Sequence, residues 1–207
     1  MRTIATALLI ILLTAHAYAG IDPWPSDINS EPEARPYVQT RPQNRPEYEA
    51  GNVPAGMRSF DSGGLSMNYP ASWTDLNQQL PPIVIFAKFL NTSTGRFNDN
   101  IVIGIENVSG YGAGIDEYYA ANINSMKQSP GFRILDETKG NLNGVPSRCV
   151  MYSVPTQTPA GEETLVQLQI MAISNNKAYV ITVSALEETC QKAQNEAAKA
   201  IKTIRFH

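Results

Sequence analysis

Two runs of alternating side chains, ETLVQLQIMAIS (163–174) and KAYVITVSA (177–185), meet across Asn175-Asn176. Asparagine tolerates the left-handed backbone of a tight hairpin turn, so the pair commits this part of the chain to an antiparallel ladder. Other segments read the same way. MRSF and LSMNY flank Asp61-Ser62-Gly63-Gly64 as a second hairpin. Leu65, Met67 and Tyr69 then share one face, with Ser66 and Asn68 on the other. Pro70 ends the strand because it has no N–H to give the ladder. IVIFAKF (83–89) and NIVIGIENV (100–108) are further strands joined by the polar LNTSTGRFNDN, and FRILDET and SRCVMYSV (147–154) lie around Asn143-Gly144.

Two segments carry helical spacing instead. Ile115, Tyr119, Ile123 and Met126 fall on one stripe, with Pro130-Gly131 as the stop. In SALEETCQKAQNEAAKAIKTIRF, Ser184 and Glu187 suggest a capping box, and Cys190, Ala193, Ala197, Ile201 and Ile204 form the apolar stripe. Strands joined by short turns imply a mainly antiparallel sheet. Two helices remain to cover its faces, which makes the class α+β.

The chain opens MRTIATALLIILLTAHAYAG. A basic residue, a short apolar run and Ala17-Tyr18-Ala19 have the layout of a secretory signal peptide over 1–19. The run is too short for a spanning helix, which needs roughly 20 apolar residues, and no cysteine follows the cleavage point to take a lipid. Residues 20–56 form a proline-rich lead-in, with Arg-Pro at Arg35, Arg41 and Arg45. Proline fixes φ and donates no hydrogen bond, so this stretch favours solvated, extended chain. It reads either as a tether or as a docking strip with Trp24, in DPWP, as its aromatic anchor. Residues 57–207 form the folded domain, large enough to bury roughly 70% of its unfolded surface.

Net charge is −3, with no cluster of lysine or arginine to mark a nucleic-acid track or an anionic membrane surface. No later segment is apolar and long enough to span a membrane. Of the two histidines, His16 leaves with the leader and His207 is the last residue. Triad chemistry and a histidine zinc site therefore lack an imidazole within the fold. Gly110, Gly112 and Gly114 lie between strand and helix, where phosphates bind, but Asp116 and Glu117 in the first helical turn would repel one. Asp136-Glu137, Glu162-Glu163 and Glu187-Glu188 are adjacent pairs whose side chains do not share a face. Asp99 has no EF-hand spacing around it. Asn91 and Asn107 begin glycosylation triplets, relevant in a eukaryotic host alone. No catalytic residue, metal site or cofactor is expected.

The mature chain holds two cysteines, Cys149 and Cys190. Export favours their pairing, and a bridge would stabilise by about 4 kcal/mol in the chain-entropy model. The alternative is two small buried thiols. There is no CxxC, so neither reading is a redox site.

The segment Phe60–Trp73, FDSGGLSMNYPASW, resembles the opening hairpin of PsbP-like domains, with tyrosine-proline-x-x-tryptophan. NIVIGIENV, the helix IDEYYAANINSM, GVPSRCVMYSV, KAYVITVSALEE and a closing IKTIRF follow the same layout, so the resemblance covers residues 57–207. It implies an α-β-α sandwich, a fold shared with a Ran-binding nuclear-import factor and a bacterial family of unassigned function. It also implies an exported, non-catalytic accessory module that docks onto an envelope or membrane-associated protein complex. The compartment would be periplasmic or extracellular, and the thylakoid lumen if the host is photosynthetic. A small-ligand carrier and a histidine-independent hydrolase using carboxylates are the alternatives. The first would show a deep apolar cavity, the second convergent carboxylates.

Overall fold

The computed structural model describes residues 53–75, 83–87, 97–110, 112, 114–158 and 160–207. The expected leader over 1–19, Trp24 and the Asn91 triplet lie outside the described residues. In chain order the elements are β1 (Met57–Ser62), β2 (Leu65–Pro70), β3 (Thr74–Asp75), β4 (Ile83–Ala87), β5 (Asn100–Asn107), α1 (Ile115–Met126), β6 (Arg133–Leu142), β7 (Val145–Thr158), β8 (Gly161–Ser174), β9 (Lys177–Leu186), α2 (Cys190–Ile201) and β10 (Arg205–Phe206). A seven-stranded sheet runs β3-β4-β5-β9-β8-β7-β6, and β1-β2-β10 form a three-stranded one. Every pairing is antiparallel.

The two faces of the large sheet are covered differently. On one, Ile101 and Ile103 of β5, Tyr179, Ile181 and Val183 of β9 and Ala172 of β8 meet α2 and the small sheet. Ala193, Ala197 and Ala200 are fully buried there, their short side chains letting α2 lie close to the strands. Leu65, Met67, Tyr69 and Trp73 close the same cluster, as the alternation in β2 predicts. On the opposite face Tyr118, Tyr119, Ile123 and Met126 of α1 pack on Val150, Tyr152, Met171, Ala178 and Val180. Helix, sheet and helix thus stack as the expected α-β-α sandwich.

Two details depart from the sequence reading. Ser184 does not cap α2: β9 runs on to Leu186, Thr189 takes the N-cap position and makes no side-chain cap bond. Ser184 is instead buried and accepts a hydrogen bond from Gln167 Nε2 at 2.7 Å. Ser66, on the face of β2 opposite Leu65, Met67 and Tyr69, is buried as well. Finally, the C-terminus is tied down, because β10 pairs with β2 and His207 N–H donates to the Gly64 carbonyl.

Candidate functional site

Strand β6 is an edge of the large sheet, with β7 on one side. Its register passes from Ile134 opposite Tyr152 to Asp136 opposite Met151, so Leu135 is an extra residue in a β-bulge. The bulge turns Leu135 into solvent at 46% exposure. Among the described residues, it and Val53 are the large apolar side chains left in water. Beside it opens a concavity of about 310 Å³ lined by Gly131, Arg133, Leu135, Ser153, Val154, Pro155, Thr164 and Glu187. Arg133 is opposite Ser153 and Pro155 opposite Thr164, so these four share the α2 face of the sheet. Gly131 makes the floor possible: its φ is +73°, and a Cβ there would lie 2.6 Å from Pro155 Cδ. The lining mixes polar and apolar groups, with one cation, Arg133, and one anion, Glu187, among them.

The glycine-flanked start of α1 has a different role. Asp116 accepts from Lys139 Nζ and from Arg148 Nη1, each at 3.1 Å. The Lys139 hydrogen bond, with Arg148 beside it, holds the Asp116 carboxyl below the usual carboxylate range. Tyr119 O–H donates to Glu137 at 2.6 Å, and Arg148 lies over the Tyr119 ring. Burial and the Glu137 carboxylate push the Tyr119 hydroxyl up, so it stays protonated. These bonds fasten α1 to β6 and β7 and leave its first turn without a vacant anion seat.

A third group lies within the α1 face of the sheet. Asn100, Ser184, Gln167 and Tyr152 form one row across β5, β9, β8 and β7, with Thr182 and Gln169 in the next. All six are buried. Gln167 pairs with Ser184 and Gln169 with Thr182, whereas Asn98 Oδ1, Asn100 Oδ1, Gln169 Oε1 and the Tyr152 hydroxyl have no partner among the described residues. Each such atom costs about 1–3 kcal/mol. These side chains are neutral, and burial pushes the Tyr152 hydroxyl up further.

Cys149 and Cys190 carry free thiols, against the expected bridge. The reason is register along one face. Gln194 Nε2 reaches Met151 Sδ at 3.6 Å, and Asn143 Nδ2, at the β6–β7 turn, reaches the Lys202 carbonyl at 3.2 Å. Cys149 lies two residues from Met151 toward that turn, and Cys190 one helical turn from Gln194 in the other direction. Rise per residue puts them on the order of 12 Å apart, beyond the ~7 Å Cα separation a disulfide spans. Neither thiol is fully buried, and desolvation raises the pKa of Cys149. His207 sits on the surface, 3.2 Å from Asp61 Oδ1.

A family model described as DcrB matches residues 65–203, two thirds of the sequence. The chain belongs to the DcrB family. The DcrB match begins at β2 and ends just beyond α2, so it takes in both faces of the sandwich and the β6 edge. Among solved structures, cyanobacterial PsbP of Synechocystis is similar in fold, with a TM-score of 0.51 at 14% identity over 76% of this chain and 96% of that one. A Pseudomonas aeruginosa protein of unknown function is 20% identical over 69% of this chain and 94% of its own, at a TM-score of 0.46. The Ran-binding protein Mog1p of Saccharomyces cerevisiae is 10% identical over 72% and 95%, at 0.49. No curated protein matches the sequence. The PsbP resemblance therefore holds for the fold, while the family is DcrB.

For this DcrB domain, motif reading missed the β6 concavity. One signal was available: in Phe132-Arg133-Ile134-Leu135-Asp136 two apolar residues stand side by side and break a period-two strand. Such a break is what a bulge leaves in a sequence. The glycine loop and the paired carboxylates do not converge with it, save for Glu187.

Proposed function

We propose that this protein is an exported, non-catalytic accessory module that docks onto an envelope or membrane-associated protein complex through the β6 edge. The leader over 1–19 would direct export to a periplasmic or extracellular compartment. The lead-in over 20–56 would then precede a docking domain over 57–207. The observation that carries the reading is Leu135, held out in water by a bulge on β6, which has no neighbour beyond it among the described residues, beside a concavity of about 310 Å³.

A solvated leucine gains roughly 1.5–3 kcal/mol when a partner covers it fully. The edge offers backbone groups to an added strand, and the bulge confines that pairing to residues beyond Asp136. The fitting partner is an extended protein segment with an apolar side chain for the concavity, an acidic residue toward Arg133 and a donor toward Glu187. The concavity is open and mixed in lining, which suits a protruding side chain better than an enclosed apolar ligand.

Photo-crosslinking tests the proposal. A photoreactive residue at position 135 should give a discrete protein adduct in the envelope of the native host, and one at Lys199 on α2 should not. Arg133→Glu should abolish the adduct while the thermal midpoint stays unchanged. The reading fails if position 135 gives no adduct, or if both positions give the same ones.

A further inference from the structure

We infer that Trp24 of the proline-rich lead-in occupies the β6 concavity when no partner does, so the chain carries its own competitor for the docking site. The inference rests on the docking reading for the identity of that site, and adds its regulation.

The first argument is chemical fit. An indole buries a large apolar area and needs one acceptor for its N–H. The concavity offers Leu135 and Pro155 as apolar contacts and has Glu187 in its lining. The fold already contains that combination once: Trp73 is buried beside α2, and its Nε1–H donates to Glu196 at 3.3 Å. Trp24 stands between Pro23 and Pro25, with Asp22 before the first proline and Asp27 shortly after the second. Those carboxylates complement Arg133, the cation in the lining. Proline on both sides favours an extended backbone before docking, so little conformational entropy remains to be lost. Of the other aromatic residues of the lead-in, Tyr37 and Tyr48, neither has proline on both sides.

The second argument is reach. The described chain begins at Val53, beside the Pro54 carbonyl that accepts from Met57 N–H. Gly56 bonds Ala71, and Trp73 bonds α2, so the lead-in joins the domain on the α2 face. Arg133, Ser153, Pro155 and Thr164 of the concavity share that face. A random chain of the length from Trp24 to Val53 spans about 30 Å on average, and a domain of this size is about 40 Å across. The average span of the tether is therefore of the same order as the domain itself, so Trp24 can reach the concavity without a taut chain and at a raised effective concentration.

The chain has two tryptophans, which makes the test direct. With the mature protein from Gly20 onward, the wild-type emission minus that of Trp24→Phe gives the Trp24 contribution without disturbing buried Trp73. Trp24 should emit toward the blue and resist acrylamide several-fold better than it does in a free peptide of residues 20–30. Leu135→Asp and Arg133→Glu should each remove that protection at an unchanged thermal midpoint. Protection should not depend on protein concentration. The inference is overturned if Trp24 quenches as the free peptide does, if Leu135→Asp leaves its protection intact, or if protection appears as concentration rises. A solvent-exposed Trp24 with crosslinking at position 135 retained would remove this inference and leave the docking reading standing. A protected Trp24 with no crosslinked partner would do the reverse.

Discussion

The Arg148 guanidinium lies over the ring of Tyr119, 4.4 Å from its centroid, and the same side chain donates to Asp116. One β7 residue thus holds the first two turns of α1 by a charge and by a π face. Arg148 is 19% exposed, so water screens its contacts only in part. Arg148→Met is expected to lower stability by about 1–2 kcal/mol, and Arg148→Lys should recover less than half of it, since lysine lacks the flat fork. Urea unfolding of the three proteins checks this, and equal midpoints would refute it.

Asp116 adds a pH signature. Its folded pKa is lowered from 3.8, chiefly by the Lys139 hydrogen bond. A depressed carboxylate contributes stability that is present above the unfolded pKa and lost as pH falls through the folded one. NMR titration of the Asp116 carboxyl should give a midpoint below 3.8, moving up toward it in Lys139→Ala. A midpoint that stays put would show that the contact is not made in solution.

The buried polar rows give a prediction about sign. Thr182→Val leaves the Gln169 amide without its acceptor and should cost about 1–3 kcal/mol. Gln169→Leu removes the unpartnered Oε1 together with the pair, so it should be near neutral or mildly stabilising. The double variant should be more stable than Thr182→Val alone, with a coupling of about 0.5–3 kcal/mol. Strictly additive values would mean that the two side chains do not interact.

Local chemistry accounts for what the sequence disclosed. Asn175 and Asn176 both adopt positive φ, as a tight hairpin requires, and the period-two runs on either side pair in full. Asn143-Gly144 was equally visible as a turn, yet half of its role was not. Asn143 also donates its amide to the carbonyls of Lys202 and Ile204, across the fold, closing the end of α2. No local pattern encodes a partner so distant along the chain. The same limit explains Ser184, whose capping signature is genuine in spacing but lies inside a strand that β8 extends to Leu186. It explains the cysteines too, since export says only that a bridge is permitted and the register of α2 on β7 decides whether it forms. The β6 concavity needed both kinds of information: a local break in alternation at Leu135, and Glu187 brought beside it by the backbone bond from Glu187 N–H to Thr164.

The thiols make the last prediction. With Cys149 and Cys190 separated by register, purified protein kept in air should still react with two equivalents of a thiol reagent after unfolding. Intact mass should match the reduced chain. Replacing both by alanine should cost less than about 1.5 kcal/mol, the order of a small side chain lost from a half-buried site. Loss of a native bridge would instead remove about 4 kcal/mol. A chain lighter by two hydrogens, or a double variant destabilised by the larger amount, would mean that α2 shifts along β7 by about one turn on oxidation. That shift would break the Gln194–Met151 and Asn143–Lys202 contacts together, so the mass measurement tests the packing of the whole α2 face.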